Sequence, residues 1–117
     1  MSQASVSRCI MPVCRVILRV LLNRWIKFPT DRQTVMRTKN LFWNKYGFPD
    51  VLGAIDCTHV AIIAPPAEHP VYPAAPFYNR KSFYSFNVQI ITDASLDIIN
   101  MNARYPGSVH GSVSENE

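Results

Sequence analysis

The sequence predicts an α/β fold in which helices come first and three β-strands follow. Before Gly47, apolar residues recur at three- and four-residue steps, which is the spacing of one helix face. After Pro49 the chain is rich in β-branched residues and then alternates between apolar and polar ones, as strands do. These two patterns divide the 117 residues into a basic helical region, 1–47, and a partial sheet domain, 48–117.

Two helices are expected in the basic region. The first would begin near Pro12, because proline is tolerated mainly in the first turn of a helix, and would end at Phe28 ahead of Pro29. The second would be capped by Thr30 or Asp31 and would stop at Gly47. The buried face of the first helix would consist of Val13, Val16, Ile17, Val20, Leu21, Trp25 and Phe28. That of the second would consist of Val35, Thr38, Phe42 and Tyr46.

Three strands are expected after Pro49, at Val51–Ile63, Phe83–Thr92 and Asp97–Arg104. Five prolines between 65 and 76 predict a long surface loop between the first two strands. In the second strand, Tyr84, Phe86, Val88 and Ile90 would share one face, and Ser85, Asn87 and Gln89 the solvent face. A short turn at 94–96 makes the last two strands antiparallel, and Pro106-Gly107-Ser108 would end the sheet. No helix pattern follows, so we expect one sheet face to be uncovered and the fold to be incomplete.

Composition excludes several classes of protein. With 48% apolar and 17% charged residues, the chain is too apolar for a disordered protein. Its longest apolar stretch, 10–28, contains four lysines or arginines. Each would cost about 2.5–3.5 kcal/mol in a bilayer, so we expect no membrane span, and the same charges argue against a signal peptide. Three cysteines without a CxxC pair predict neither a disulfide framework nor a zinc site.

Charge is divided unevenly between the two regions. Residues 1–47 carry nine lysines and arginines against one acid, a net charge of +8. Residues 48–117 carry three against seven, a net charge of −4. A polyanion is therefore the expected partner of the first region and a cation that of the second, although a solvated basic helix face explains the first equally well.

Asp56 is the first candidate for chemistry, because it lies inside an apolar strand where an unpaired carboxylate is costly. Such a carboxylate is either hydrogen-bonded for structure or bound to a metal. Carboxylates brought together by a fold hold Mg²⁺ or Mn²⁺ ions, which activate water in phosphodiester hydrolysis. A second ligand would come from Asp93, Asp97, Glu115 or Glu117, and spacing does not choose among them.

Arg80 and Lys81 are the second candidate. They form a compact basic cluster after Asn79 and immediately before the second strand. Such a cluster either contacts the phosphates of a nucleic acid or ends the proline loop in solvent.

Three ordered motifs together resemble Harbinger-type transposases and the nucleases derived from them. The segment 53–60, GAIDCTHV, resembles the family's GxIDGTHV motif, with Cys57 at a glycine position. The segment 79–89, NRKSFYSFNVQ, resembles the family's NRKG…SxNVQ strand, with Ser82 in place of the glycine. The segment 106–110, PGSVH, resembles the family's PGSxHD motif.

The resemblance implies a ribonuclease-H-like core with an Asp-Asp-Glu triad that binds Mg²⁺ or Mn²⁺. Residues 48–117 would then be a partial DDE-type nuclease domain. Asp56 matches the first aspartate, but Gly111 stands at the second, and the family's glutamate falls beyond residue 117. Asp93 matches an additional aspartate outside the triad. With one ligand of three, we expect no productive hydrolysis by this chain alone.

Three hypotheses about function follow. The chain is part of a metal-dependent DNA endonuclease, a catalytically dead relative that binds DNA or a protein, or a transposon remnant that does not fold stably. Relatives can depend on a separate Myb-like protein for DNA contact, so such a partner is an expectation here. A nuclear location, with some cytoplasmic protein, is the matching expectation.

Overall fold

The computed structural model describes residues 2–109. Its helices are α1 (Gln3–Val16), α2 (Leu22–Trp25) and α3 (Arg32–Tyr46), and a π-helical turn at Ile17–Leu21 joins the first two. Its strands are β1 (Ala54–Ala61), β2 (Ser85–Thr92) and β3 (Ile98–Pro106), with a short 3₁₀ helix at Ala75–Phe77. The predicted α/β class is confirmed, and the order of elements agrees with a partial ribonuclease-H-like fold. Gly111, Glu115 and Glu117 lie outside the described residues.

The first helix begins nine residues earlier than predicted. Ser2 caps α1, since its hydroxyl oxygen accepts a hydrogen bond from the backbone N–H of Ser5 at 3.2 Å. Pro12 therefore lies within the helix, and the predicted start near it was wrong. The end was also misplaced, because the backbone turns extended at Ile26 rather than after Phe28.

The apolar face of this first helical segment is exposed. No residue of α1, the π-helical turn or α2 is buried, and Val20 and Trp25 are 59% and 75% exposed. The prediction of a buried face was wrong, because periodicity shows which side chains share a face but not whether anything packs against it. Within residues 2–109, no helix is long and apolar enough to cross a bilayer.

Helix α3 has the predicted ends. The Asp31 carboxylate accepts hydrogen bonds from the backbone N–H and the hydroxyl of Thr34, both at 2.9 Å, and these bonds lower the pKa of Asp31. Gly47 ends the helix with a left-handed backbone, φ +72°. Phe42 is buried as expected, whereas Tyr46 is 49% exposed. The ammonium of Lys45 donates to the carbonyl oxygen of Ala94 at 3.1 Å, which connects α3 to the turn between β2 and β3.

The three strands form one antiparallel sheet in the order β1-β2-β3, so β2 is central. Asp93 closes the predicted β2–β3 turn, because its carboxylate accepts from the backbone N–H groups of Ser95 and Asp97. The predicted proline loop is present, but it is not confined to the surface. Phe77 is buried, and its ring meets the ring of Phe86 edge-on at 5.2 Å.

Both faces of β2 are shielded. We call the face with Ser85, Asn87 and Gln89 the polar face, and the face with Phe86, Val88 and Ile90 the apolar face. Ser85, Asn87 and Gln89 are only 0%, 4% and 8% exposed, so their predicted solvent position was wrong. The chain before β2 and the chain after β3 fold over the polar face and contact Ser85 and Asn87, as described below.

Candidate functional site

The sheet separates the candidate residues onto opposite faces. Asp56 pairs with Ile90 on β2, which places its side chain on the apolar face. His59 pairs with Asn87, which places its ring on the polar face. Because successive side chains of a strand point to opposite sides, this separation follows from the odd spacing of the two residues.

Asp56 lies in an exposed position. Its carboxylate accepts a hydrogen bond from the backbone N–H of Cys57 at 2.8 Å, and it borders a shallow cavity of about 240 Å³. Ala54, Thr58, Ile90 and Thr92 also line this cavity. The expectation that Asp56 is a costly buried carboxylate was wrong, because β1 is an edge strand and its apolar face is open to solvent.

Asp93 does not join Asp56 as a second carboxylate ligand. The Asp93 carboxylate is engaged in the β2–β3 turn, and Asp93 lies about 10 Å along the sheet from Asp56 at ~3.3 Å per residue. Among residues 2–109, no three histidines, cysteines, aspartates or glutamates come together. The residues present therefore fit one ligand of a metal site and not a complete site.

The polar face carries a pocket of about 200 Å³, which we call the polar-face pocket. Its walls come from β1, from the segment before β2, from β2 itself and from the chain that follows β3. It brings Arg80 and Lys81 together with His59 rather than with Asp56. The residues that line it are Cys57, His59, Arg80, Lys81, Asn87, Gly107, Ser108 and Val109.

A chain of hydrogen bonds fixes the ring of His59. The side-chain amide of Asn79 donates to the hydroxyl oxygen of Ser85 at 2.8 Å, and that hydroxyl lies 2.9 Å from Nδ1 of His59. Because the Ser85 oxygen accepts from Asn79, its own proton is available for Nδ1. Nδ1 is thereby engaged, which leaves Nε2 as the ring nitrogen that can contact a ligand. The ring of Phe83 meets the histidine edge-on at 6.2 Å and holds it from the side.

Asn79 also shapes the backbone that carries Arg80 and Lys81. Its side-chain oxygen accepts from the backbone N–H groups of Lys81 and Phe83, at 2.9 and 3.3 Å. Asn79 is 3% exposed, so this tight turn is anchored in the interior. The two cationic residues thus project from a buried, hydrogen-bonded base.

The chain after β3 closes the other side of the pocket. The backbone N–H of Gly107 donates to the carbonyl oxygen of Ser85 at 2.8 Å. The side-chain amide of Asn87 donates to the carbonyl oxygen of Val109 at 2.7 Å, while its own oxygen has no partner within residues 2–109. Pro106-Gly107-Ser108 therefore returns onto β2 rather than simply ending the sheet.

A family model described as "DDE superfamily endonuclease" matches residues 55–114, which include Asp56 and the whole polar-face pocket. The chain belongs to the DDE superfamily endonuclease family. Three relatives carry the name "Putative nuclease HARBI1". The chain is 36% identical to that of Rattus norvegicus over 108 residues, 35% to that of Homo sapiens over 108, and 36% to that of Bos taurus over 112.

These alignments cover 92%, 92% and 96% of this chain but only 29%, 29% and 30% of the respective relatives. The chain therefore spans less than a third of the relatives' length. No solved structure matches the chain. The resemblance to transposase-derived nucleases is confirmed.

In this member of the DDE superfamily endonuclease family, the sequence interpretation missed two pocket residues, His59 and Asn87, and the buried Ser85 that contacts the first of them. His59 was not singled out as a candidate, and Ser85 and Asn87 were placed on a solvent face. The signal that identifies them is the antiparallel register, which places β2 in the middle of the sheet and His59 opposite Asn87. A polar row on a central strand is buried and must be hydrogen-bonded.

Ser82 provides a test of the turn that carries Arg80 and Lys81. Its backbone is left-handed, φ +70°, and this is the position at which the family motif has glycine. We expect Ser82→Gly to raise the free energy of unfolding by about 0.5–1 kcal/mol, because glycine adopts this conformation without strain. Urea denaturation measures the change. Ser95→Gly is the control, since Ser95 has a negative φ, and it should not stabilise the protein.

Proposed function

We propose that this chain forms part of a metal-dependent DNA endonuclease, and that residues 1–117 by themselves bind DNA without cleaving it. The observation that carries this proposal is the separation of the site. One carboxylate, Asp56, lies on the apolar face, and a cationic pocket lies on the polar face. Membership of an endonuclease family supports nucleic acid as the substrate class.

Asp56 is the residue proposed to contact a divalent ion, Mg²⁺ or Mn²⁺. When bound, such ions activate water and stabilise the leaving oxygen of a phosphodiester. Two-metal sites hold their ions about 3.5–4 Å apart, which requires several carboxylates. The described residues supply Asp56 alone, and Gly111 stands where the family motif has aspartate. This shortage supports binding without hydrolysis.

The proposed DNA contact uses both regions of the chain. Residues 1–47 carry a net charge of +8, and Arg80 and Lys81 project into the polar-face pocket. Contacts of this kind bind phosphates without reading bases, so affinity should fall steeply with salt. A DNA substrate makes the nucleus the proposed location, with some protein in the cytoplasm.

A second candidate function is that of a catalytically dead protein-binding relative. The exposed apolar face of the first helical segment favours it, since Ile10, Val13, Ile17 and Leu21 are each at least 40% exposed. A protein partner would cover this face. A Myb-like DNA-binding protein is the partner we propose, and its contact would bring the chain to DNA even if direct binding is weak.

Incubation of the 117-residue chain with a labelled duplex and Mg²⁺ or Mn²⁺ tests the proposed function. We expect salt-sensitive binding and no cleavage, and Asp56→Ala should leave this null result unchanged. Gly111→Asp alone should not confer cleavage, because two of three carboxylates still do not complete the set. Metal-dependent cleavage that disappears on Asp56→Ala would overturn the proposed inactivity. Absence of DNA binding in a sample that unfolds cooperatively would overturn the proposed DNA contact.

A further inference from the structure

We infer that the polar-face pocket is a phosphate-binding site that holds the DNA backbone away from the bond to be cleaved. This inference rests on the proposed function, since it names the part of the chain that contacts DNA. It assigns His59, which the sequence did not single out, to the ligand-binding residues. The ligand is a phosphodiester oxygen pair and not a base.

The charge of the pocket favours an anion. Arg80 and Lys81 contribute two positive charges, and within residues 2–109 no aspartate or glutamate lines the pocket. The volume of about 200 Å³ is below the roughly 300–1,000 Å³ typical of pockets for drug-sized molecules, so a single small group suits it. A phosphate group is small, and its two oxygens accept hydrogen bonds. It is also the anion that every nucleotide linkage of a nuclease substrate carries.

The donors of the pocket are held in place before any ligand binds. Ser85, itself held by Asn79, engages Nδ1 of His59, so the donor proposed to face the pocket is Nε2–H. Asn79 also anchors the turn from which Lys81 projects. A preformed set of donors loses little conformational freedom on binding, and charge-assisted hydrogen bonds to phosphate are the strong kind.

A metal cation is the alternative to a phosphate as the ligand of this pocket. Cys57, His59 and the unpaired oxygen of Asn87 are all of ligand type. Two neighbouring cationic side chains oppose a metal ion there, and they favour a phosphate. The Asn87 oxygen is then satisfied by a water that donates one hydrogen bond to it and the other to a phosphate oxygen.

The position of the pocket relative to Asp56 defines its role. His59 is three residues from Asp56, about 10 Å along β1 at ~3.3 Å per residue, and on the opposite sheet face. A phosphate in the pocket is therefore not the phosphate at which a water activated by an ion at Asp56 would react. The pocket holds the strand elsewhere along its backbone, and it contributes affinity rather than chemistry.

The salt dependence of DNA binding by the 117-residue chain tests this inference. For a random-sequence duplex, we expect Lys81→Gln to reduce the slope of log K against log salt by about 1. His59→Asn, which retains an acceptor near Ser85 but lacks the Nε2–H, should weaken binding several-fold. Arg104→Gln is the matched control, since it removes one charge from the apolar-face side. Thermal unfolding of each variant shows that the fold is retained.

A second experiment, with inorganic phosphate, distinguishes a pocket that binds the DNA backbone from one that binds a free anion. We expect phosphate to shift the His59 ring signals in the NMR spectrum and to compete with DNA, and both effects should vanish in Lys81→Gln. If DNA binds but neither variant alters it and phosphate does not compete, the pocket assignment is wrong while the proposed DNA binding stands. If phosphate binds the pocket and DNA does not bind, the pocket is a site for a free anion, and the assignment of the DNA backbone as its ligand is wrong. If neither binds, both proposals fail.

Discussion

Gly107→Ala is expected to lower the free energy of unfolding by about 3 kcal/mol. Gly107 is buried where the chain after β3 returns onto β2. An added Cβ would overlap the hydroxyl oxygen of Ser85 and lie 2.8 Å from the backbone carbonyl oxygens of Phe77 and Ser85. Backbone atoms on two segments would have to move, and overpacking of this kind costs about 1–3 kcal/mol or more.

Gly47→Ala is the matched control for this substitution. Its Cβ would meet no atom within 4 Å, but its φ of +72° strains any side chain. We expect a loss of about 1 kcal/mol from that backbone strain alone. Urea denaturation of both variants measures the difference. An equal loss in the two variants would contradict the close packing of the 106–108 segment on β2.

Asn79→Ala is expected to cost about 3 kcal/mol and to weaken DNA binding together with stability. Its side-chain oxygen accepts hydrogen bonds from the backbone N–H groups of Lys81 and Phe83, and its side-chain amide donates to the hydroxyl oxygen of Ser85. Truncation leaves these buried groups without partners, and each unpaired group costs about 1–3 kcal/mol. Loss of the Ser85 bond also frees the hydroxyl that fixes His59.

The control for Asn79→Ala is Asn44→Ala on the exposed side of α3. Alanine is the better helix former, so we expect no loss of stability there. Thermal unfolding and duplex binding are measured on both variants. If Asn79→Ala behaves like Asn44→Ala in both measurements, the buried hydrogen-bond network does not organise the pocket.

The sequence predicted correctly those helix ends and turns that are determined by residues close together in the chain. Asp31 and Gly47 bound α3 because capping and the left-handed stop are determined within one turn. The turn between β2 and β3 was equally local. The start of α1 was not predicted, because Pro12 was placed in the first turn of the helix, whereas the structure has it inside a helix that Ser2 caps.

Burial was predicted less well because it depends on residues distant in sequence. The alternation in β2 identified two faces correctly, yet the face assigned to solvent contains Ser85, which is completely buried. Alternation cannot reveal that Asn79 and Gly107 cover that face. In the same way, the apolar periodicity of the first helical segment did not reveal that its face is exposed.

For the site, the sequence singled out Asp56 for metal binding and Arg80 and Lys81 for phosphate contact, but it did not indicate how these residues lie relative to one another. The antiparallel register assigns Asp56 and the pocket with the two cations to opposite faces. Asp56 and His59 lie on opposite faces because positions 56 and 59 of the strand differ by an odd number. This difference can be read from the sequence once the strand is known. The partnership of His59 with Ser85 requires the pairing of β1 with β2, which sequence spacing does not supply.

One NMR titration tests most directly whether the sheet carries two separate sites on its two faces. Low concentrations of Mn²⁺ should broaden the methyl signals of Ala54 and Ile90, which line the same cavity as Asp56, before the signals of Val109 and the His59 ring in the pocket. Inorganic phosphate should shift only the second pair, and Asp56→Ala should abolish the Mn²⁺ effect alone. Broadening that begins at His59 and Val109, or that persists in Asp56→Ala, would contradict the account.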